Sequence, residues 1–183
     1  MSPVNGNLNN NELTIQQSLD GFSYVLVPAA LYQEGKKAKY LDFLGLKQEN
    51  CFVCADYIEI ADIYNVYCTS KKEHRHPTTV LLEDLIKENQ ERTDENRIYL
   101  NVNDQRYEMF VLKGAKLLFY NTFRFKTKED FLYFLLFSME QLHLDAETVP
   151  VYFMGMIEKD SQIVELVSRY IRDVRFKKDL RCE

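Results

Sequence analysis

The chain has 183 residues, of which 46% are hydrophobic and 28% are charged, and its formal net charge is −5. This composition is typical of a globular protein with a substantial core, built as one large domain or two small ones. A mildly acidic chain without a concentrated basic face argues against a nucleic-acid or anionic-membrane surface. No apolar run reaches the ~20 residues of a membrane span, so we expect no nucleic-acid partner and no membrane span.

The first half of the chain predicts an arm followed by a small α+β unit. Residues 1–11 are polar and Asn-rich, without the apolar region of a signal peptide, which predicts a disordered arm and a cytoplasmic protein. Strands are expected at 13–19 and 22–27, joined by a turn at Asp20 and Gly21, then at 51–58 and 63–68. Residues 29–44 have helical spacing interrupted at Gly35, and 79–89 predict a second helix. A polar connector at 88–96 places the domain boundary, giving an arm at 1–11 and subdomains at 12–92 and 93–183.

The second half predicts three antiparallel strands, a helix, a fourth strand and a last helix. The strands at 97–102, 107–112 and 116–125 are separated by turns at 103–106 and Gly114. A short apolar run at 149–154 is expected to pair parallel to the first of them, because a helix crosses between the two. Ser161 is the expected cap of the last helix, and no strand is expected after it.

The helix at 127–142 is the expected folding centre. Thr127 and Asp130 have the spacing of a capping box, which ties the first turn of a helix to its cap residue. Large apolar side chains then cover most of the circumference, and a short helix of this kind is expected to be buried on several sides.

Several segments resemble one bacterial family. They are Ser-Leu-Asp-Gly-Phe-Ser at 18–23, Leu-Val-Pro at 26–28, Asn-Val-Tyr at 65–67, Tyr-Asn-Thr-Phe at 120–123 and Glu-Asp-Phe-Leu-Tyr-Phe-Leu-Leu at 129–136. Together they resemble the proteins grouped as Domain of Unknown Function 3822, over nearly the whole chain after residue 12. The resemblance implies an α+β, ribonuclease-H-like fold of the actin-like ATPase type with two related subdomains. It implies no activity.

The chain departs from that family at two places. Family members have a longer stretch between the Asp-Gly-Phe-Ser hairpin and the Val-Pro element, so the first subdomain is expected to be abridged. The chain also stops soon after the last predicted helix, so the second subdomain is expected to lack a closing strand.

The resemblance also implies where a nucleotide would lie. Actin-like ATPases hold phosphates with two hairpin turns rich in Asp and Gly, because small residues let backbone N–H groups approach the phosphates. The matching positions are Asp20 and Gly21 in the first turn, Asn103 and Asp104 in the second, and Gly155 in the loop that would face adenosine.

Two of these three elements are degraded, whereas the first turn keeps one Asp and one Gly. The second turn has no glycine and carries Arg106 and Tyr107, and Met156 stands where a second glycine would admit adenosine. We therefore expect a vestigial cleft, no bound cofactor and no catalytic residues. The favoured function is a non-catalytic scaffold or interaction protein with an unknown protein partner. The alternative is a nucleotide-binding actin-like ATPase, and a homodimer that completes the first subdomain also stays open.

Cysteine and histidine patterns are weak signals for a metal site. Cys51 and Cys54 have the spacing of half a zinc site, but no second cysteine pair accompanies them. Buried structural thiols are the favoured interpretation of this pair, and all four cysteines, including Cys68 and Cys182, are expected to be free thiols. A solvated turn is the favoured interpretation of His74 and His76. No metal site is predicted.

Overall fold

The computed structural model describes residues 14–16, 24–42, 52–69, 75–92 and 94–177. Within these residues the chain forms two sheets with helices packed against them, which is a mixed α/β architecture. The predicted arm and the predicted turn at Asp20 and Gly21 lie outside the described residues.

The first sheet has four strands in these ranges, in the order β1–β2–β4–β3, and all neighbours run antiparallel. The strands are β1 (Thr14–Gln16), β2 (Tyr24–Pro28), β3 (Phe52–Ile58) and β4 (Ile63–Thr69). Valine and tyrosine dominate β2 and β4, which suits the pleated, half-buried surface of a sheet. Asp62, with a left-handed φ of 54°, turns the chain between β3 and β4. The sequence predicted a strand at each of these four positions.

The predicted helix at 29–44 is shorter than expected. The described residues form two 3₁₀ turns, Ala29–Leu31 and Glu34–Lys36, and a short helix α1 (Lys37–Asp42). Gly35 lies in the second of these turns, where the sequence predicts an interruption of the helix. On the outer face of the sheet, α1 contributes Leu41 to a small core with β2 and β4.

A second helix, α2 (Pro77–Asn89), packs against both sheets. It starts two residues before the prediction because Pro77, at its first position, has the fixed φ and missing N–H that this position tolerates. Its buried side chains share one core with Leu26 of the first sheet and Phe110 of the second sheet. The domain boundary at 88–96 stays a prediction.

The second sheet has the order β7–β6–β5–β8–β9. Its strands are β5 (Asn96–Asn103), β6 (Arg106–Lys113), β7 (Lys116–Arg124), β8 (Val151–Gly155) and β9 (Val174–Phe176). As predicted, β5, β6 and β7 are antiparallel neighbours and β8 pairs parallel to β5.

The expectation that no strand follows the last helix was wrong. The strand β9 pairs parallel to β8, with Val151 opposite Val174 and Phe153 opposite Phe176. Three residues are too few to show strand periodicity, and the ladder offered by β8 is what makes them a strand. The second sheet therefore has a closing strand.

The central helix α3 (Lys128–Gln141) has the predicted capping box. The Thr127 hydroxyl accepts from the Asp130 N–H at 3.1 Å, and the Asp130 carboxylate accepts from the Thr127 N–H at 3.1 Å. One side is buried against the sheet, including Phe131 and Leu135, but Tyr133 is 61% exposed. The helix also packs against the last helix, Gln162–Val167, so it is buried on more than one side, as predicted.

The last helix, α4 (Gln162–Val167), begins where the sequence predicts. The Ser161 hydroxyl accepts from the Val164 N–H at 3.3 Å. None of the helices in the described ranges is long and apolar enough to cross a bilayer.

Candidate functional site

A cleft of about 520 Å³ opens between the two sheets. It lies at the ends of β5 and β8, and the first turn of α2 forms one wall. Cavities of this volume commonly hold small ligands. The side chains at its floor and wall decide what the cleft can do.

The floor of the cleft is organised by the Glu108 carboxylate on β6. Its Oε1 accepts from the hydroxyls of Tyr24 at 2.8 Å, Thr78 at 2.7 Å and Tyr120 at 2.8 Å. Its Oε2 accepts from Asn101 Nδ2 at 2.7 Å. Three protein donors therefore converge on one carboxylate oxygen and a fourth reaches the other. These donors come from β2, α2, β7 and β5, and Glu108 therefore joins the two sheets and the helix between them.

The tyrosine hydroxyl of Tyr120 remains a donor at any physiological pH. Burial raises its pKa above the ordinary value, because the phenolate would be poorly solvated. The ring of Tyr120 also packs 5.8 Å from the ring of Tyr24. The donors around Glu108 are thus held by packing as well as by hydrogen bonds.

The wall of the cleft contains His76, which caps α2. Its Nδ1 accepts from the Thr78 N–H at 3.2 Å, so the neutral ring carries its proton on Nε2. The ring lies between Tyr24, at 4.7 Å, and Tyr67, at 5.0 Å. Burial lowers the pKa of His76, and the nearby Glu108 carboxylate opposes this shift only in part. The expectation that His76 lies in a solvated turn was therefore wrong.

The first turn of α2 has no N–H group left for an anion. Pro77 lacks one, the Thr78 N–H is taken by the His76 ring, and the Thr79 and Val80 N–H groups contact the His76 carbonyl at 2.9 and 3.3 Å. Helix N-termini bind phosphate through such groups. The N-terminus of α2 therefore offers no backbone N–H group to a phosphate, because the cap residue His76 already binds these groups.

A second carboxylate, Asp56 on β3, supports this wall from behind. It accepts from the His76 N–H at 2.9 Å, the Thr79 hydroxyl at 2.9 Å and the Tyr67 hydroxyl at 3.2 Å. The cap is therefore positioned by the edge strand of the first sheet.

The predicted residues Asn103 and Asp104 lie at the β5–β6 turn. Asn103 lines the cleft, and Asp104, with a left-handed φ of 52°, lines a neighbouring hollow of about 370 Å³. Arg106 lines both. Tyr107, however, is fully buried on the other face of the sheet, where its hydroxyl donates to the Phe131 carbonyl at 3.3 Å. Tyr107 therefore does not obstruct the cleft, contrary to the expectation.

The predicted residue Gly155 lines the cleft, but its conformation serves the sheet. Its φ is +82°, and a Cβ there would lie 2.3 Å from the Val102 carbonyl and 2.6 Å from Asn101 Oδ1. A side chain is therefore excluded by the neighbouring strand. Met156, the next residue, lines the cleft and is 76% exposed.

The structure brings Asn103 and Gly155 to one cleft and Asp104 to its edge. Asp20 and Gly21 lie outside the described residues. Sequence reasoning missed Glu108, although a glutamate within an otherwise apolar strand was a signal available in the sequence.

No cluster of three or more His, Cys, Asp or Glu side chains suited to a metal occurs among the described residues. Cys54 is a free thiol. Cys68 is disulfide-bonded, so the expectation of four free thiols was wrong for this residue. That expectation rested on the compartment and not on which thiols the fold brings together.

Comparisons with known proteins support the same fold. A Bacteroides thetaiotaomicron crystal structure, described as a protein with an actin-like ATPase fold and unknown function, superimposes with a TM-score of 0.73 at 17% identity. That match covers 84% of this chain, which spans 64% of the length of that structure. A PilM–PilN type IV pilus biogenesis complex matches with a TM-score of 0.52 at 11% identity, covering 85% of this chain and 65% of that chain.

These similarities show the actin-like fold, consistent with the ribonuclease-H-like class that the sequence predicts. No curated protein matches the chain. The profile of one family matches residues 20–174. The chain therefore belongs to the family described as Protein of unknown function (DUF3822).

Proposed function

We propose that the protein is a non-catalytic scaffold or interaction protein, built on an actin-like fold whose nucleotide cleft is degenerate. The observation that carries the proposal is the bonding of Glu108. The carboxylate at the cleft floor accepts hydrogen bonds from Tyr24, Thr78, Tyr120 and Asn101. It acts as a structural joint between the sheets.

Phosphoryl transfer depends on positioned metal ions and on donors aimed at phosphate oxygens. The Glu108 carboxylate accepts from four protein donors, three of them on one oxygen, and this bonding supports a structural role and not a role as a metal ligand or a base for an attacking water. Its negative charge also opposes the approach of a phosphate. The capped start of α2 offers no backbone N–H in compensation, so this end of the cleft has no backbone donor for a phosphate.

If the cleft does not carry out phosphoryl transfer, binding to another protein is the role that we propose for this fold. One solved structure that superimposes with this chain is described as a PilM–PilN type IV pilus biogenesis complex, which supports an assembly role for a fold of this kind. For this chain the partner is an unidentified protein. The cytoplasmic location expected from the sequence stays a prediction.

A nucleotide titration tests the proposal. We expect no ATP hydrolysis above the rate without protein, and no rise in melting temperature up to millimolar ATP with Mg²⁺. A ligand at 100 times its dissociation constant would stabilise the fold by about 2.7 kcal/mol, or roughly 5–11 °C for a chain of this size. A saturable rise abolished by Asp20→Ala, but kept by Asp160→Ala in the exposed turn before α4, would overturn the proposal.

The second candidate is a nucleotide-binding protein. It is favoured by the size of the cleft, about 520 Å³, and by Arg106 at its edge. The same titration separates the two candidates, because nucleotide binding predicts a shift that Arg106→Ala reduces. Binding without hydrolysis would support this second candidate.

A further inference from the structure

We propose that the protein forms a homodimer by pairing the β3 edge of the first sheet with the β3 edge of a second copy. The inference goes beyond the proposed function, because it names one surface and one partner and does not depend on the cleft. It rests on the edge itself, on its neighbours and on the symmetry of its residues.

The edge is long and open in the described part of the chain. All seven residues of β3 pair with β4 in one continuous register, and no strand lies on its other side. Two large aromatic side chains near its ends are exposed, Phe52 by 52% and Tyr57 by 43%. An edge of this kind presents unpaired N–H and C=O groups to another strand.

Natural sheets protect such edges with charged side chains, proline, bulges or short strands. The strand β3 contains no proline, no lysine, no arginine and no register shift. Its one charged residue, Asp56, is turned inward, where it accepts from Tyr67, His76 and Thr79. The charge of Asp56 is therefore not placed to hinder the pairing of β3 with another strand.

The other three edges in the described ranges are protected. The strands β1 and β9 have three residues each. The strand β7 has charged ends at Lys116 and Arg124, a register shift in its pairing with β6, and β1 lying against it. The β3 edge is the exception, which argues that something covers it.

A second copy fits this edge by symmetry. Full antiparallel overlap of β3 with itself places Ala55 opposite Ala55, Cys54 opposite Asp56, and Val53 opposite Tyr57. Directly opposite residues point to the same face in an antiparallel pair, so α2 of both copies lies on one side of the joined sheet. No like charges face each other, and an aromatic side chain meets a β-branched one, a favourable cross-strand pair.

Sedimentation equilibrium and light scattering test the dimer. We expect the protein at micromolar concentration to have twice the 21.7 kDa mass of one chain. Phe52→Lys should raise the dissociation constant at least ten-fold, whereas Tyr133→Lys, the same change at an exposed aromatic on α3, should leave it unchanged. Both positions are exposed, and far-ultraviolet circular dichroism should show both variants folded. A monomer at all concentrations, or a dimer indifferent to Phe52→Lys, would overturn the proposal.

Engineered cysteines test the register. In Ala55→Cys the two new thiols lie directly opposite, with Cα atoms about 4.5–5.5 Å apart, within the range of a disulfide. In Val53→Cys the two new thiols lie four residues apart along the ladder, about 14 Å. We expect a covalent dimer on mild oxidation for Ala55→Cys, and none for Val53→Cys or the wild type. Cross-linking of both variants, or of neither, would overturn the β3 pairing, and neither result bears on nucleotide binding.

Discussion

Replacing Glu108 by alanine removes the acceptor shared by four donors at the cleft floor. Three of those donors belong to residues that are nearly inaccessible: Tyr24 is 6% exposed, Thr78 is 4% and Tyr120 is 0%. A buried donor left without a partner costs about 1–3 kcal/mol. Water entering the cleft can reach these hydroxyls, and the Tyr120 hydroxyl also lies 3.4 Å from the Thr122 hydroxyl, so we take the low end for each, about 3 kcal/mol in total.

For a chain of this size that loss lowers the melting temperature by roughly 6–12 °C. The measurement is a thermal melt followed by circular dichroism, together with urea unfolding at constant pH. Glu140→Ala, an exposed glutamate on α3, is the matched control and should stay within about 0.5 kcal/mol of wild type. Glu108→Gln should fall between the two, because the amide keeps one acceptor oxygen but adds a donor among donors.

A double-mutant cycle separates the hydrogen bond from general packing. Tyr24→Phe should cost about 1 kcal/mol or more in the wild type and almost nothing once Glu108 is alanine, because its acceptor is then already gone. If Glu108→Ala melts like the control, or if the two changes are additive, the carboxylate is not the joint between the sheets.

Three further outcomes are expected. Leu135→Ala should destabilise by about 2–5 kcal/mol in urea unfolding, because it leaves a cavity under α3; a loss no larger than that of Glu140→Ala would contradict the burial of this face. Gly155→Ala should lower the free energy of unfolding by about 3 kcal/mol, because the new Cβ would clash with the neighbouring strand and the residue has a left-handed φ. Gly35→Ala, with open space around the Cβ, should be close to neutral in the same urea unfolding. The pKa of His76 is lower in the folded protein than in the unfolded chain, so the unfolded chain binds more protons below pH 6.5 and the free energy of unfolding should fall as the pH drops below that value. His76→Asn keeps a capping side chain but does not titrate, so it should flatten this part of the stability profile. An unchanged profile would refute the assignment of this pH dependence to His76.

The sequence alone determined the local elements. The capping box of Thr127 and Asp130 involves residues three apart, so its chemistry is visible in the chain. The same holds for the Ser161 cap and for the hairpin turns of the second sheet. The parallel pairing of β8 with β5 followed from one further rule, that a helix connects parallel strands.

The tertiary structure decided the site. Glu108 receives its donors from residues as distant as Tyr24, 84 positions away, and no local pattern reports such a meeting. His76 looks like part of a polar turn until two tyrosine rings from β2 and β4 enclose it. Gly155 fits a nucleotide loop by sequence, yet the carbonyl of the adjacent strand is what excludes a side chain there. Periodicity and capping encode what one segment does with its own neighbours, whereas burial and shared hydrogen bonds exist only once separate segments have come together.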